Sequence, residues 1–494
     1  MHPMLVSTDS STLKLVQQLC QALDTQGVSY CHWKSNAALD RSARGENDLD
    51  LLVSRPDVEQ FTAILSRLQF KEARGSATKQ VPGILSYYGY DREADKFVHV
   101  HTHYQLVLGH DMTKNYHLPI ERAFFESAFQ DSFFKIPVPE LEFIVLVIRL
   151  VLKHSTWDAV LGRQAALSRS EQQELEYLQG LIEQARVPRI LEQHLPFIGA
   201  TFFDQCLQTL RPGCSLWTRL KAGQRLQRKL RAHSRRSLTS DVCLKYWRRT
   251  LGVYRRYILL CSPRKRLAKG GAIVALVGGD GAGKSTAVDG LYAWLSKFAT
   301  IKVHLGKPTM SLSTLAIKAT SKMCRLAGTF LKGKYSVQAA ENKPYGFPGY
   351  LQSLRRVCIA RDRYRTYARA RRFASNGGLV ICDRYPVPQI TLMDGPQSDS
   401  RPNGGRAKWF ARFLVQTERT YYQHILLPEL LIVLRVDPEI AVDRRTDGEE
   451  ATVRARCQEI YEMDWRQTPA HVINAGRSKA EVLSDLKSII WAEL

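Results

Sequence analysis

The chain is predicted to fold as two α/β parts: a C-terminal parallel sheet flanked by helices, and an N-terminal α+β part, joined by a helical, basic connector. Three observations carry this. The apolar run 272–277 feeds a glycine-rich turn, Gly278-Gly-Asp-Gly-Ala-Gly-Lys284, and then a helical pattern opening on Ser285 and Thr286. Beyond that turn, buried-type strands alternate with long helical patterns, the signature of a parallel sheet. Before residue 135, short alternating strands mix with helices. A length of 494 residues supports two or three domains, each with its own core, and the pattern sets borders at 1–135, 136–269 and 270–494.

Taken in chain order, the first informative stretch is Ser29-Tyr-Cys-His-Trp-Lys-Ser-Asn36, followed by Gly45-Glu-Asn-Asp-Leu-Asp-Leu-Leu-Val53. Strand alternation places Asp48 and Asp50 on one face and sends Leu49, Leu51 and Val53 to the core. Carboxylates two residues apart on a strand can hold a divalent metal against a triphosphate, although the same pair also suits a plain surface strand. A later strand, 96–104, offers His99, His101 and His103 on one face. Such a row binds metal, or is solvated and hydrogen-bonded; both readings stand. The stretch resembles the DNA polymerase beta-type nucleotidyltransferase superfamily, with Lys34-Ser35 where its Gly-Ser turn belongs and the histidines where a third carboxylate belongs. The resemblance implies Mg²⁺-dependent nucleotidyl transfer with Asp48, Asp50 and His101 as metal ligands. Without the third carboxylate it implies a nucleotide-binding module. The apolar helical pattern from Pro137 to about His194 suits a helical companion to such a domain.

Between Arg211 and Lys269 stand eighteen Lys and Arg against one acid, Asp241, with Trp217, Tyr246, Trp247, Tyr254 and Tyr257 interleaved. This connector would be a solvated helical face, or would dock on an anionic membrane surface or on nucleic acid. The net charge of +24 points the same way, toward anionic partners.

The loop 278–286 has the spacing of a P-loop, in which backbone N–H groups and a helix N-terminus cradle phosphates. Gly278, Gly279, Gly281, Ala282, Gly283, Lys284, Ser285 and Thr286 are therefore the expected ATP-binding residues, with Ser285 a ligand of Mg²⁺. A second strand follows at Ile301 and ends in Gly306-Lys307-Pro308. A basic helical stretch runs to about Lys343, then a long helix from Leu351 to about Ser375. The strand from Gly378 delivers Asp383 and Arg384 at its carboxyl end, where open α/β sheets hold ligands. The strand Leu430 to Val436 runs into Asp437-Pro-Glu-Ile-Ala-Val-Asp-Arg-Arg445. A last strand, 470–474, and a helix from Lys479 to Trp491 close the sheet.

These motifs resemble the thymidylate kinase family of nucleoside monophosphate kinases, over about 220 residues from Ala272 onward. Gly279-Asp-Gly-Ala-Gly-Lys-Ser-Thr286 matches its P-loop, Asp383-Arg384-Tyr385 its Asp-Arg-Tyr motif, and Pro438-Glu439 with Arg444 and Arg445 its lid. Ala360-Arg-Asp-Arg363 is a partial counterpart of a helix motif. The resemblance implies a P-loop kinase fold and an ATP-dependent phosphotransferase, in which Lys284, Asp383, Arg384, Arg444 and Arg445 are catalytic and Asp383 is on the metal side. Asp280, Lys307, Arg363, Arg384 and Tyr385 would meet a phosphorylated acceptor. Two departures, Gly306-Lys307-Pro308 and the proline-stiffened Pro386–Pro396, leave the acceptor open between a nucleoside monophosphate and a phosphorylated sugar or glycan. A nucleotide-sensing scaffold is the reading from another class. Fusions of this kind resemble proteins of bacterial surface-polysaccharide metabolism.

Ten cysteines without a CxxC pair argue against a disulfide framework or zinc ribbon. Residues 1–21 lack the apolar core of a signal peptide, and the longest apolar run, 141–152, is broken by Arg149 and too short to span a bilayer. A cytoplasmic protein is expected, with its oligomeric state open.

Overall fold

The computed structural model describes residues 12–75, 80–155, 167–257, 264–320, 350–390, 409–444 and 450–494, together with 323 and 395. The chain divides into two compact units, Met1–Lys265 and Arg266–Leu494.

In the first unit the strands are β1 (Tyr30–His32), β2 (Leu49–Val53), β3 (Lys71–Arg74), β4 (Ile84–Asp91) and β5 (Lys96–His103). They lie side by side in the order β1-β2-β5-β4-β3. β2 and β5 are parallel, with Asp50 opposite His101, while β4 and β5 are antiparallel, with Tyr88 opposite His99. Two small hairpins follow: β6 (Leu106–Leu108) with β7 (Tyr116–Leu118), and β8 (Phe129–Asp131) with β9 (Phe134–Ile136). Helices Lys14–Thr25 and Val58–Arg67 bury Leu19, Leu23, Phe61 and Ile64 among Leu49, Leu51 and Val53. That is the face opposite Asp50, as period-two alternation requires.

The helix Pro139–His154 begins with Pro at its first turn, where a missing N–H costs nothing, and is buried along most of its length. It shares one apolar cluster with Trp33, Leu106, Leu118 and Phe124 and with the helices carrying Leu178, Leu191, Phe203 and Leu226. The border read from the sequence near 136 therefore runs through a continuous core. The basic stretch is anchored in the same unit: the Arg235 amide donates to Asn115 O at 2.8 Å, Asn115 Nδ2 to Arg236 O at 3.1 Å, and Arg248 Nη1 to Met112 O at 2.5 Å. On the helix Leu238–Tyr257 that follows, Trp247 and Tyr257 stand exposed.

The second unit opens with a two-residue strand, β10 (Arg266–Leu267), before the central strand β11 (Ala272–Gly278). Around β11 lie β12 (Thr300–His304), β13 (Leu379–Asp383), β14 (Leu430–Arg435) and β15 (Ala470–Asn474), in the order β12-β13-β11-β14-β15, every pair parallel. All of β11, and every residue of β13, is buried, as expected of a sheet covered on both faces. Ile273, Ala275, Val277, Val380, Cys382 and Val433 pack against Tyr367, Ala370 and Ala374 of the helix Tyr350–Ser375. The helices Lys284–Trp294 and Lys479–Glu493 meet where the rings of Trp294 and Trp491 lie 6.2 Å apart. The last helix starts with a capping box, Ser478 and Glu481 each bonding the other's amide. Arg445, most of the basic stretch toward Lys343, and much of Pro386–Pro396 lie outside the described residues. Among the described residues, no helix is long and apolar enough to cross a membrane.

Candidate functional site

Because all five strands of the second sheet are parallel, their carboxyl ends face one rim. The register sets Leu276 beside Asp383 and Gly278 beside Leu434, so the glycine loop after β11 and the end of β13 become neighbours. The loop needs glycine for two separate reasons. At Gly281 the backbone has φ 87°, and at Gly279 a Cβ would stand 2.3 Å from Cys457 Sγ. Gly283, also left-handed, caps the helix whose first turn carries Lys284, Ser285 and Thr286.

Lys284 is buried and donates to the loop's own carbonyls, Gly278 O at 2.9 Å and Gly279 O at 2.6 Å. Burial, with Arg384 nearby, pulls its ammonium down to about 8. Ser285 Oγ donates to Asp383 Oδ2 at 3.1 Å. The other oxygen, Oδ1, is buried with no hydrogen-bond partner, an arrangement that costs free energy unless something else meets it. A hydroxyl and a carboxylate with a spare oxygen are hard oxygen donors, the type that Mg²⁺ takes. The residues present thus fit Mg²⁺ beside a phosphate cradle.

Asp280, 4 % exposed, lies between two guanidiniums: Arg384 Nη2 reaches Oδ1 at 2.6 Å and Arg456 Nη1 reaches Oδ2 at 2.8 Å. Asp280, expected on the acceptor side, is therefore engaged on both oxygens. Arg384 itself adopts a left-handed backbone at φ 61°, unusual for a side chain of its size. Its neighbour Tyr385 turns into the core, where its hydroxyl donates to Leu426 O. Arg363 is also buried, with Nε on Leu305 O at 2.7 Å, Nη2 on Gly306 O at 3.2 Å and Nη1 on the Tyr422 hydroxyl. It braces the turn after β12. Lys307, on that turn, is exposed, and its amide donates to His304 Nδ1. Arg444 ends the helix Pro438–Asp443 and donates to Ala475 O at 2.9 Å and Gly476 O at 3.3 Å.

The structure brings Lys284, Ser285, Asp383, Asp280 and Arg384 into one cluster. It keeps Tyr385 and Arg363 in supporting positions. Arg456 and Cys457 escaped the sequence reading. They sit on the helix Glu450–Glu462, where Arg454, two residues away, pairs with the exposed Glu439; no local signal separates the two arginines.

In the first unit, Asp48 and Asp50 take different partners. His99 Nδ1 lies 2.6 Å from Asp48 Oδ1, while Asp50 Oδ1 is 2.9 Å from Lys34 Nζ and 2.9 Å from His101 Nδ1. Burial alone would raise the Asp50 carboxyl, but Lys34 and His101 outweigh it and hold it well below the usual range. Asp50 and His101 are together, joined by His103, and Asp48 stands apart from them.

The second unit thus places a glycine-rich loop and the Ser285–Asp383 pair at the carboxyl rim of a five-stranded parallel α/β sheet. No protein-family model matches the chain. It is 26 % identical over 226 residues to the uncharacterized ATP-binding protein YghR of Escherichia coli K12, covering 44 % of this chain and 86 % of that protein. To the uncharacterized ATP-binding protein YghS of the same strain it is 27 % identical over 218 residues, 41 % of this chain and 90 % of that one. A solved thymidylate kinase from Candida albicans aligns at 17 % identity over 45 % of this chain and 92 % of that one, with a TM-score of 0.29.

Proposed function

We propose that residues 266–494 bind ATP and transfer its terminal phosphoryl group to a phosphorylated acceptor of the nucleoside monophosphate class. The observation that carries this is the cluster at the rim: a buried lysine inside a glycine loop, next to a Ser285–Asp383 pair with one unpartnered oxygen. The names of the two Escherichia coli relatives, both ATP-binding proteins, agree with it. Phosphoryl transfer needs position and charge neutralisation more than proton movement. Bound Mg²⁺ would supply part of that charge, held on the side of Ser285 and Asp383. Lys284 would exchange its two carbonyl contacts for phosphate oxygens. Arg384, already oriented by Asp280, would take the acceptor's phosphate by two parallel hydrogen bonds. Arg444 and Arg445 would close on the transferring group, and Lys307 would add a mobile cation at the exposed turn.

For residues 1–265 we do not propose nucleotidyl transfer, since the two carboxylates that the chemistry would pair are committed to separate partners.

The deciding measurement is transfer of label from γ-labelled ATP with Mg²⁺ to a panel of nucleoside monophosphates, phosphorylated sugars and glycans. Label in a nucleoside diphosphate is expected. Lys284→Ala should lower turnover by about a hundredfold or more with the fold intact. Label in a sugar or glycan would reassign the acceptor, and no transfer to any acceptor would favour a nucleotide sensor. Turnover retained in Lys284→Ala would remove the loop from the mechanism.

A further inference from the structure

The three strand histidines of the first unit do not do the same thing. His99 is satisfied locally, held between Asp48 and the Lys265 ammonium, whose Nζ lies 3.1 Å from His99 Nε2, and stacked on Tyr88 with ring centroids 4.3 Å apart. His101 and His103 turn toward the parallel neighbour strand and meet Asp50. There Asp50 Oδ1 lies 2.9 Å from His101 Nδ1 and 3.9 Å from His103 Nε2, and the two nitrogens are 3.4 Å apart. Donors 2.0–2.2 Å from a shared ion in tetrahedral or octahedral geometry stand about 3.0–3.5 Å from one another. The three separations bracket that range, so one ion could reach all three atoms with small side-chain adjustments.

The surroundings favour a ligand over a mere hydrogen-bonded row. His103 is fully buried, with Nε2 turned toward Asp50 and His101. Its ring is fixed by the edge of Trp33, 5.0 Å away between centroids, and by the His101 ring at 4.5 Å. Asp50 and His101 are set opposite each other by the β2–β5 register, so the backbone itself supplies the spacing. Two imidazoles and one carboxylate form a borderline donor set that selects zinc-class ions over Mg²⁺ or Ca²⁺, which take oxygen.

We propose that Asp50, His101 and His103 form a binding site for one divalent transition-metal ion of the zinc class. The proposal is independent of the ATP reading of residues 266–494. Lys34 is the competitor, because its ammonium sits 2.9 Å from the same Asp50 oxygen. Its side chain is 20 % exposed, and binding of the ion requires the ammonium to leave that oxygen.

The test uses the full chain, free of any histidine tag and stripped with chelator, titrated with Co²⁺ and then Zn²⁺ while the visible d–d absorption of cobalt is followed. One equivalent of Co²⁺ is expected, displaced by Zn²⁺ and unaffected by excess Mg²⁺. His101→Gln, His103→Gln and Asp50→Asn should each weaken this binding about tenfold or more. Asp48→Asn and His99→Gln should leave it unchanged. Lys34→Met should tighten it, and it tests the proposal even if a buried histidine variant fails to fold. Absence of the cobalt band, binding that survives His103→Gln, equal loss in Asp48→Asn, or no tightening in Lys34→Met would each overturn the assignment.

Discussion

A buried carboxyl shows how a single side chain can set the pH response of this molecule. Glu142 accepts from the amide of Asn36 at 3.1 Å and from its Nδ2 at 2.8 Å, and Asn36 in turn meets His32 Nδ1. Burial pushes the Glu142 carboxyl from its ordinary 4.5 up to about 7, the two bonds from Asn36 only partly opposing it. Between those values the folded state binds the proton that the unfolded chain has released. Its stabilising contribution is therefore complete below pH 4.5 and lost as pH rises through 7. At 1.36 kcal/mol per unit the loss comes to about 3–4 kcal/mol when complete. Denaturant unfolding of the full chain at pH 5 and pH 8 should show it, and Glu142→Gln should flatten the difference; an unchanged pH dependence in that variant would mean another group is responsible. None of this was legible in the sequence, where Glu142 is one acid in an apolar helix. Lys284, Ser285 and Asp383 were legible, because the glycine spacing and the apolar strands that deliver them are local. Asp280 was singled out without its second arginine, since Arg456 lies 176 positions away in the chain and reaches the loop only through the fold.

At the scale of elements, the loop's shape depends on a helix far along the chain. Cys457 donates to the Asp280 carbonyl and fills the space where a side chain at Gly279 would go, with Cys457 Cα 3.0 Å from the position of a Cβ. Gly279→Ala must then push the helix Glu450–Glu462 or the loop itself, and a cost of about 1–3 kcal/mol is expected. Nucleotide affinity should fall along with stability, as measured by calorimetric titration and unfolding of the same samples; a variant that keeps both would show the contact to be easily relaxed. The strands from 270 onward and the helices Tyr350–Ser375 and Lys479–Glu493 were legible to within a residue or two, since buried parallel strands are continuous apolar runs, whereas the helices Trp409–Gln423 and Glu450–Glu462 were not singled out. The continuity of the apolar cluster across residue 136 was not legible, for a physical reason. Helix periodicity between 139 and 154 says that an apolar helix exists, but not that its partners are Trp33, Leu106 and Phe124 from earlier in the chain.

For the whole molecule, each unit carries its own apolar cluster, one built on residues such as Ile144 and Phe203 and another on Val380 and Val433. Residues 266–494 expressed alone should unfold cooperatively and keep ATP turnover sensitive to Lys284→Ala; a fragment that does not fold would mean its core depends on the rest of the chain. Within that unit, the common strand direction has a consequence for how variation is tolerated. Ala272, Leu379 and Leu430 begin their strands at one end of the sheet, whereas Gly278, Asp383 and Arg435 finish theirs at the other. Substitutions along any strand should change character with position, registering as lost abundance near its start and as lost chemistry near its finish. A deep survey of variants would then draw the molecule's polarity directly, as a gradient running from foundation to workplace along a single axis.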